Sequence, residues 1–147
     1  MSGSYKEVEG NLLDMFDKGE FDVIAHGANC QSKMGAGIAK QIKERYPDAY
    51  YADLYDWRLP EMKLGSLSWT NDRSIFNLYT QYDLGKDARI SALCNALAQF
   101  NLIVSKDLKI GLPQIGCGIG GLEWSVVKAI IQKYLKDYDV TVVIYKP

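Results

Sequence analysis

The sequence of 147 residues is poor in the residues that build disulfides and metal sites. It contains three cysteines and one histidine, and Cys30, Cys94 and Cys117 are far apart. An odd number of widely spaced cysteines argues against a disulfide framework and fits a reducing compartment. With one histidine and no Cys-x-x-Cys pair, a zinc site made of protein ligands is not expected. We predict no metal and no cofactor.

Excess charge of one sign and long apolar runs are also missing. The net charge of −1 gives no general attraction to nucleic acid. No apolar run approaches the roughly 20 residues of a membrane span, and the polar stretch 1–9 is not typical of a signal peptide. We therefore expect a cytoplasmic monomer that binds neither membranes nor nucleic acid in general. A hydrophobic content of 48% fits a single domain over residues 1–147.

What the sequence does contain is an alternation of strand-like and helix-like segments. Helical patterns are predicted at 12–17, 35–46, 48–57, 87–104 and 122–134. Strand-like runs are predicted at 5–9, 21–28, 66–70, 74–80, 108–112 and 140–145. In the last helix, Leu122, Val126, Ile130 and Tyr134 repeat every four residues. The alternation predicts an α/β protein, a three-layer α/β/α sandwich with a mixed central sheet of about six strands.

The most informative stretch is a glycine-rich run at 112–122, Leu-Pro-Gln-Ile-Gly-Cys-Gly-Ile-Gly-Gly-Leu. An apolar segment precedes it and an amphipathic pattern follows, so it is predicted to link a strand to a helix. Glycine lets such a loop turn tightly and bring backbone N–H groups close to a ligand, and a helix N-terminus adds partial positive charge. The run therefore predicts a site for a nucleotide or a nucleotide-like diphosphate.

Other phosphate loops fit this run less well. Residues 116–121 match G-x-G-x-x-G, but a dinucleotide site needs an acidic residue after the next strand, and the sequence stops at Pro147. A Walker A loop needs Lys-Ser/Thr where Leu122 and Glu123 stand. A cysteine phosphatase loop would need arginine in place of Glu123. We therefore interpret Cys117 as a residue that lines the site rather than as a nucleophile.

A second glycine-rich element lies at 34–39, Met-Gly-Ala-Gly-Ile-Ala, shortly after a strand-like run. Two loops, each between the carboxyl end of a strand and the start of a helix, are where open α/β sheets bind ligands. His26 and Asn29 lie between these elements. A histidine at a strand end is more often structural than catalytic, and Asn29 is also typical of a turn. Both become candidates because the two loops converge on one edge of the sheet.

Taken together, these segments resemble a macrodomain. The resemblance rests on residues 10–12 (Gly-Asn-Leu), 21–30 (Phe-Asp-Val-Ile-Ala-His-Gly-Ala-Asn-Cys), 34–39 and 113–124. These segments occur in the same order as in macrodomains, and together they extend over essentially the whole chain. Within the family, the chain is most similar to the branch that contains terminal ADP-ribose protein glycohydrolases and yeast-type ADP-ribose-1″-phosphate phosphatases.

The resemblance implies a cleft for ADP-ribose or ADP-ribose-1″-phosphate. Asn11 and Leu12 would lie at the adenine, with Asn11 at a position where many macrodomains carry aspartate. Asn29 would hold the distal ribose, and the loop at 116–121 would wrap the diphosphate. The ligand-binding residues that the resemblance implies in the two glycine loops are Met34, Gly35, Ala36, Gly37, Ile38, Pro113, Gln114, Gly116, Cys117, Gly118, Ile119, Gly120 and Gly121.

Two positions depart from the glycohydrolases of this branch. These enzymes use a lysine shortly after the central strand, where this chain has Gln81, and an aspartate in the second glycine loop, where it has Gly120. Glutamine cannot form the Schiff-base intermediate that lysine can form, and glycine supplies no acid or base. Lys86 lies near this lysine position in the sequence, and a shifted loop would bring its amine to the place of the missing lysine.

The function expected from these features is hydrolysis of ADP-ribose-1″-phosphate to ADP-ribose and phosphate. His26 is predicted as general acid or base, Asn29 as a group that stabilises developing charge, and Asp83 as a residue that orients the water. Attack at phosphorus and attack at the anomeric carbon both yield these products. The alternatives are removal of ADP-ribose from protein or nucleic acid, and ADP-ribose binding without catalysis.

Overall fold

A computed structural model describes residues 3–146 of the chain. The strands are β1 Ser4–Gly10, β2 Val23–Asn29, β3 Leu67–Trp69, β4 Ile75–Gln81, β5 Lys109–Leu112 and β6 Asp139–Tyr145. The helices are α1 Leu12–Asp17, α2 Gly37–Arg45, α3 Pro47–Leu54, α4 Pro60–Lys63, α5 Ile90–Ile103 and α6 Trp124–Tyr134. The predicted segments all occur, with ends shifted by up to a few residues, and the short helix α4 was not predicted.

The strands form one six-stranded sheet in the order β1-β6-β5-β2-β4-β3. All neighbouring pairs are parallel except β3 and β4, which form an antiparallel pair at one edge. The sheet is therefore mixed, as predicted. Because β1, β2, β4, β5 and β6 run in the same direction, their carboxyl ends lie along one edge of the sheet. That edge is where ligands bind in open α/β sheets.

Helices cover both faces of this sheet. On one face α5 and α6 bury Leu97, Phe100 and Ile131 against the sheet. On the other face α1, α2 and α3 contribute Leu13, Ile42 and Ala49 to a second apolar core. These two cores confirm the predicted three-layer α/β/α architecture. Among residues 3–146 no helix is long and apolar enough to cross a membrane.

The buried face of α6 differs in part from the one that the four-residue repeat suggested. Val127 and Ile131 are fully buried, whereas Val126 is 43% exposed. Apolar residues occur in adjacent pairs along this helix, so two neighbouring stripes compete for the core. A spacing of four residues also drifts away from the helical period of about 3.6, which turns a long repeat out of the core.

Gly111 in β5 provides a test of the tight packing between the sheet and the segment before β2. A Cβ atom built on Gly111 would lie 2.5 Å from Cδ2 of the buried Phe21 ring. We expect Gly111→Ala to lower the free energy of unfolding by about 1–3 kcal/mol because the core has no space for the methyl group.

Urea denaturation measures this difference, with Gly35→Ala as the matched control. A Cβ on Gly35 meets no atom within 4 Å, so its stability should stay within about 0.5 kcal/mol of the parent chain. Equal stability of the two variants would contradict the packing described here.

Candidate ligand-binding cleft

A cleft of about 380 Å³ opens at the carboxyl ends of β2, β4 and β5. This volume lies within the usual range of small-molecule sites. The cleft is bounded by the loop before α2, the end of β4 and the loop after β5. Its lining residues are Gly27, Ala28, Asn29, Lys33, Gly35, Ala36, Gly37, Ile38, Ala39, Thr80, Gln81, Leu84, Gly85, Pro113, Gln114, Ile115, Gly116, Gly118, Ile119 and Gly120.

The loop after β5 forms one wall of the cleft, and its shape depends on glycine. Gly116 has a φ of 74°, in the left-handed region. A Cβ on Gly120 would lie 2.8 Å from the Gly116 carbonyl oxygen and 2.8 Å from Cβ of Ala88. Ala88 N also donates a hydrogen bond to Gly120 O at 3.2 Å. The loop is therefore packed backbone to backbone at this point, and no side chain fits at Gly120 unless the loop moves.

The opposite wall is the start of α2. Ala36 caps this helix without a side-chain hydrogen bond, and Gly37, Ile38 and Ala39 in the first turn line the cleft. The first N–H groups of a helix have no partner within the helix and carry partial positive charge. The cleft is therefore suited to an anion such as a phosphate on this side too.

Asn29 lies in the cleft at the end of β2 and also organises the loop that follows. Its Oδ1 accepts hydrogen bonds from the backbone N–H groups of Gln31 and Lys33 at 3.0 and 3.3 Å, and its Nδ2 donates to Lys33 O at 2.8 Å. These bonds place the exposed Lys33 at the cleft. Among the described lining residues, Lys33 is the only one with an ionisable side chain.

A buried polar cluster supports this loop from the direction of α3 and α4. Ser32, which has a φ of 55°, donates a hydrogen bond to Asp53 Oδ1 at 3.4 Å. Lys63 Nζ and the Tyr79 hydroxyl donate to the same oxygen, each at 2.8 Å. Asp53 and Lys63 are almost completely buried. Removal of one partner from a buried ion pair typically costs about 3–5 kcal/mol, so this cluster is a firm base for the loop.

The prediction that His26 is a general acid or base is wrong. Its side chain is fully buried and points away from the cleft, toward Asn77 and α3. Asn77 Nδ2 donates to Ala49 O and Ser68 Oγ, so Asn77 Oδ1 is the acceptor for His26 Nε2 at 2.7 Å. Burial lowers the pKa of the histidine, and its complete burial with a hydrogen bond to Asn77 assigns it a structural role.

Asp83 does not line the cleft either. It is exposed in the loop after β4, and its Oδ1 accepts a hydrogen bond from Leu84 N at 2.9 Å. The predicted role of this carboxylate in orienting a water molecule therefore has no support in the geometry. Asn29 is the one predicted catalytic residue that lies in the cleft, and its role stays a proposal.

The ligand-binding residues implied by the macrodomain resemblance divide into two groups. Those in the cleft are Asn29, Gly35, Ala36, Gly37, Ile38, Pro113, Gln114, Gly116, Gly118, Ile119 and Gly120. The others do not line it, and two of them, Leu12 and Met34, have side chains buried in the protein. Asn11 caps α1 by accepting a hydrogen bond from Asp14 N at 3.0 Å. Because the Leu12 side chain is buried, Leu12 can contact an adenine only through its backbone atoms.

Cys117 and Gly121 are not among the residues that line the cleft. Cys117 Sγ donates to Ile115 O at 3.4 Å, and burial raises the pKa of this thiol. A protonated thiol is a poor nucleophile, which agrees with the interpretation of Cys117 as a non-catalytic residue. Because Cys117 does not line this cleft, its predicted contact with the ligand has no support in the geometry.

Several lining residues were missed in the sequence, notably Lys33, Thr80 and Gln81. Gln81 was noted only as the substitute for a lysine, yet it stands opposite Gly120, whose Cβ would lie 3.2 Å from Gln81 Oε1. The two positions that depart from the glycohydrolases are therefore neighbours in space. The signal that could have found Gln81 is its location at the end of a central parallel strand.

The Macro domain family matches residues 25–131, which include both glycine loops of the cleft. The chain belongs to the macrodomain family. A solved structure, the macrodomain of Thermus aquaticus DarG, is 28% identical with a TM-score of 0.78, and the match covers 99% of each chain. The cleft described above is thus the cleft of a macrodomain fold.

Three similar proteins include two with different named activities and one that is uncharacterized. An uncharacterized 17.5 kDa protein of Enterobacteria phage T4 is 32% identical over 97% of both chains. A DNA ADP-ribosyl glycohydrolase of Thermus aquaticus is 28% identical over 95% of this macrodomain but only 40% of its own length. An ADP-ribose 1″-phosphate phosphatase of Aspergillus oryzae is 44% identical over 48 residues, 33% of this chain and 22% of its own. The chain therefore spans about two fifths of the glycohydrolase and a smaller part of the phosphatase.

The single histidine gives a direct test of the structural role assigned to His26. We expect the pKa of its imidazole in the folded protein to lie below the usual value of about 6.5, because burial disfavours the charged form. In proton NMR the ring resonances of His26 should show no titration midpoint at or above this value. A reversible titration of the folded protein with a midpoint at or above about 6.5 would show that the ring reaches solvent.

Proposed function

We propose that this macrodomain binds ADP-ribose and hydrolyses ADP-ribose-1″-phosphate to ADP-ribose and phosphate. The binding half of the proposal is supported by two sets of backbone N–H groups. One set is at the start of α2, and the other consists of Gly116, Gly118, Ile119 and Gly120, whose N–H groups donate to no acceptor among residues 3–146, whereas those of Cys117 and Gly121 bond within the loop. The two sets form a cradle for a diphosphate, which is the central group of ADP-ribose. In the proposed binding mode the distal ribose lies beside Asn29, at the ends of β2 and β4.

The observation that carries the choice of reaction is the small number of acid, base and nucleophile side chains in the cleft. No histidine, cysteine, aspartate or glutamate is among its described lining residues. These are the side chains that most often act as general acids and bases, and Lys33 is the one ionisable group among the described lining residues. The reaction that fits best is one in which the leaving group needs no help from a protein acid. A phosphate on the anomeric carbon is such a leaving group.

The proposed step breaks the bond between C1″ and the phosphate oxygen. The singly protonated phosphate takes the electron pair and leaves as hydrogen phosphate. Water adds its oxygen to C1″ and loses a proton to solvent, which yields ADP-ribose. The bound diphosphate stabilises the positive charge that develops on the ribose, and Asn29 positions the ring. Attack of water at phosphorus would instead rely on groups that position the water and stabilise the transferred phosphoryl group, and no carboxylate or histidine for this task is among the described lining residues.

A second candidate is removal of ADP-ribose from nucleic acid or protein. It is supported by the DNA ADP-ribosyl glycohydrolase relative, whose match covers almost the whole of this chain, whereas the phosphatase match is short. Gln81 and Gly120 weigh against the lysine-based chemistry of this branch. Parallel turnover assays on ADP-ribose-1″-phosphate, an ADP-ribosylated DNA strand and an ADP-ribosylated protein compare the two candidates. Release from the modified macromolecule alone would replace the first proposal.

The role of Asn29 can be tested by Asn29→Ala. We expect phosphate release from ADP-ribose-1″-phosphate to fall by a factor of about 10² or more, because the variant loses a polar contact and the hydrogen bonds that shape the loop. Asn71→Ala, in the exposed turn between β3 and β4, is the matched control and should keep the parent rate. An active Asn29→Ala protein would remove Asn29 from the proposed mechanism.

The bond that breaks can be identified with water labelled with heavy oxygen. Attack at C1″ places the label in ADP-ribose and leaves the phosphate unlabelled. Mass spectrometry of both products, on a time scale shorter than exchange at the anomeric hydroxyl, measures this distribution. Label in the phosphate would show attack at phosphorus and contradict the proposed step.

A further inference from the structure

The loop between β4 and α5 is held in one conformation by its own polar groups. Gln81 Nε2 donates hydrogen bonds to the backbone carbonyls of Asp83 and Gly85 at 2.6 and 3.1 Å. The Asp87 carboxylate accepts from Tyr82 N and Asp83 N at 3.1 and 2.8 Å. The glutamine that replaces the family's lysine is therefore the centre of a compact loop, and Leu84 and Gly85 in this loop line the cleft.

This loop carries Lys86 onto the glycine loop at 116–121. The methylene chain of Lys86 crosses Gly121 so closely that a Cβ there would lie 2.5 Å from Cγ and 2.7 Å from Cε. Gly121 has a φ of 85°, so the backbone turns at the point where the lysine passes. The adjacent residue, Gly120, lines the cleft and faces Gln81. Lys86 is not itself a lining residue, but its methylene chain lies against Gly121, beside the end of the cleft at which Gln81 and Gly120 meet.

The ammonium group of Lys86 has no partner among residues 3–146. The two carboxylates of its own loop are engaged elsewhere, since Asp83 accepts from Leu84 N and Asp87 binds backbone N–H groups and pairs with Arg89 at 3.3 Å. The side chain is exposed. A cation without a partner that lies against the glycine loop is suited to bind an anion.

We infer that Lys86 is a specificity-determining residue that binds the 1″-phosphate of the substrate, and this inference rests on the function proposed above. Lys86 lies five residues after Gln81, the position at which the glycohydrolases of this branch have their lysine. It acts through its charge. In the proposed step it contacts the leaving phosphate and stabilises the negative charge that this group gains. It makes no equivalent contact with ADP-ribose, which lacks that phosphate.

The test compares two ligands that differ only in the 1″-phosphate. In Lys86→Gln we expect kcat/KM for ADP-ribose-1″-phosphate to fall about tenfold or more, the usual effect of one charge-assisted hydrogen bond. The calorimetric Kd for ADP-ribose should change less than twofold. Lys86→Arg should recover most of the loss because it keeps the charge, although it cannot form the imine of a lysine amine. Lys18→Gln, at the other edge of the sheet, is the matched control.

Three outcomes would overturn the inference. An equal loss for both ligands would show that Lys86 only shapes the loop, and no loss for either would exclude a contact with the phosphate. Lys86→Arg as inactive as Lys86→Gln would exclude a role through charge. Failure of the parent chain to bind ADP-ribose would overturn the proposed function itself. If the parent chain binds ADP-ribose-1″-phosphate without turnover, the same comparison is made with the two Kd values.

Discussion

The cleft depends on the close approach of the loop after β5 to the ends of β2 and β4. A Cβ on Gly27 would lie 2.9 Å from Thr80 Oγ1 and 3.3 Å from Ile115 Cγ2, and Gly120 is crowded in the same way from the other side. Such distances leave no space for side chains, so the wall of the cleft is formed by the backbone itself at these points. The same constraint keeps acids and bases out of this wall, and it thereby restricts the chemistry that the cleft supports.

The order and type of the secondary-structure elements could be predicted from the sequence because buried strands and amphipathic helices have distinct periods. α1 was predicted with its observed bounds, and the parallel sheet followed from the alternation of strands and helices. Helix α4 was missed because four residues, Pro60–Lys63, are too few to show a period. The buried face of α6 was predicted only in part because two apolar stripes lie side by side on the helix. Leu122, Ile130 and Tyr134 pack against the core, whereas Val126 is exposed.

The two glycine loops could also be predicted, whereas the catalytic residues could not. Every residue from Val23 to Ala28 is apolar or small except His26, and both faces of β2 are covered, so alternation does not tell on which face the histidine lies. It lies on the face of α3, within a buried hydrogen-bonded network. The contributions of Lys33 and Gln81 depend on loop conformations fixed by Asn29 and Asp87. Such side-chain to backbone hydrogen bonds leave no periodic signal.

The central claim is that backbone N–H groups from two glycine loops hold a diphosphate in this macrodomain. Calorimetric titration of the full chain with ADP-ribose tests it most directly, with ribose 5-phosphate as a comparison that lacks the diphosphate and the adenosine. We predict saturable one-to-one binding of ADP-ribose and at least about tenfold weaker binding of ribose 5-phosphate. Absence of ADP-ribose binding, or equal affinity for the two compounds, would contradict this account of the cleft.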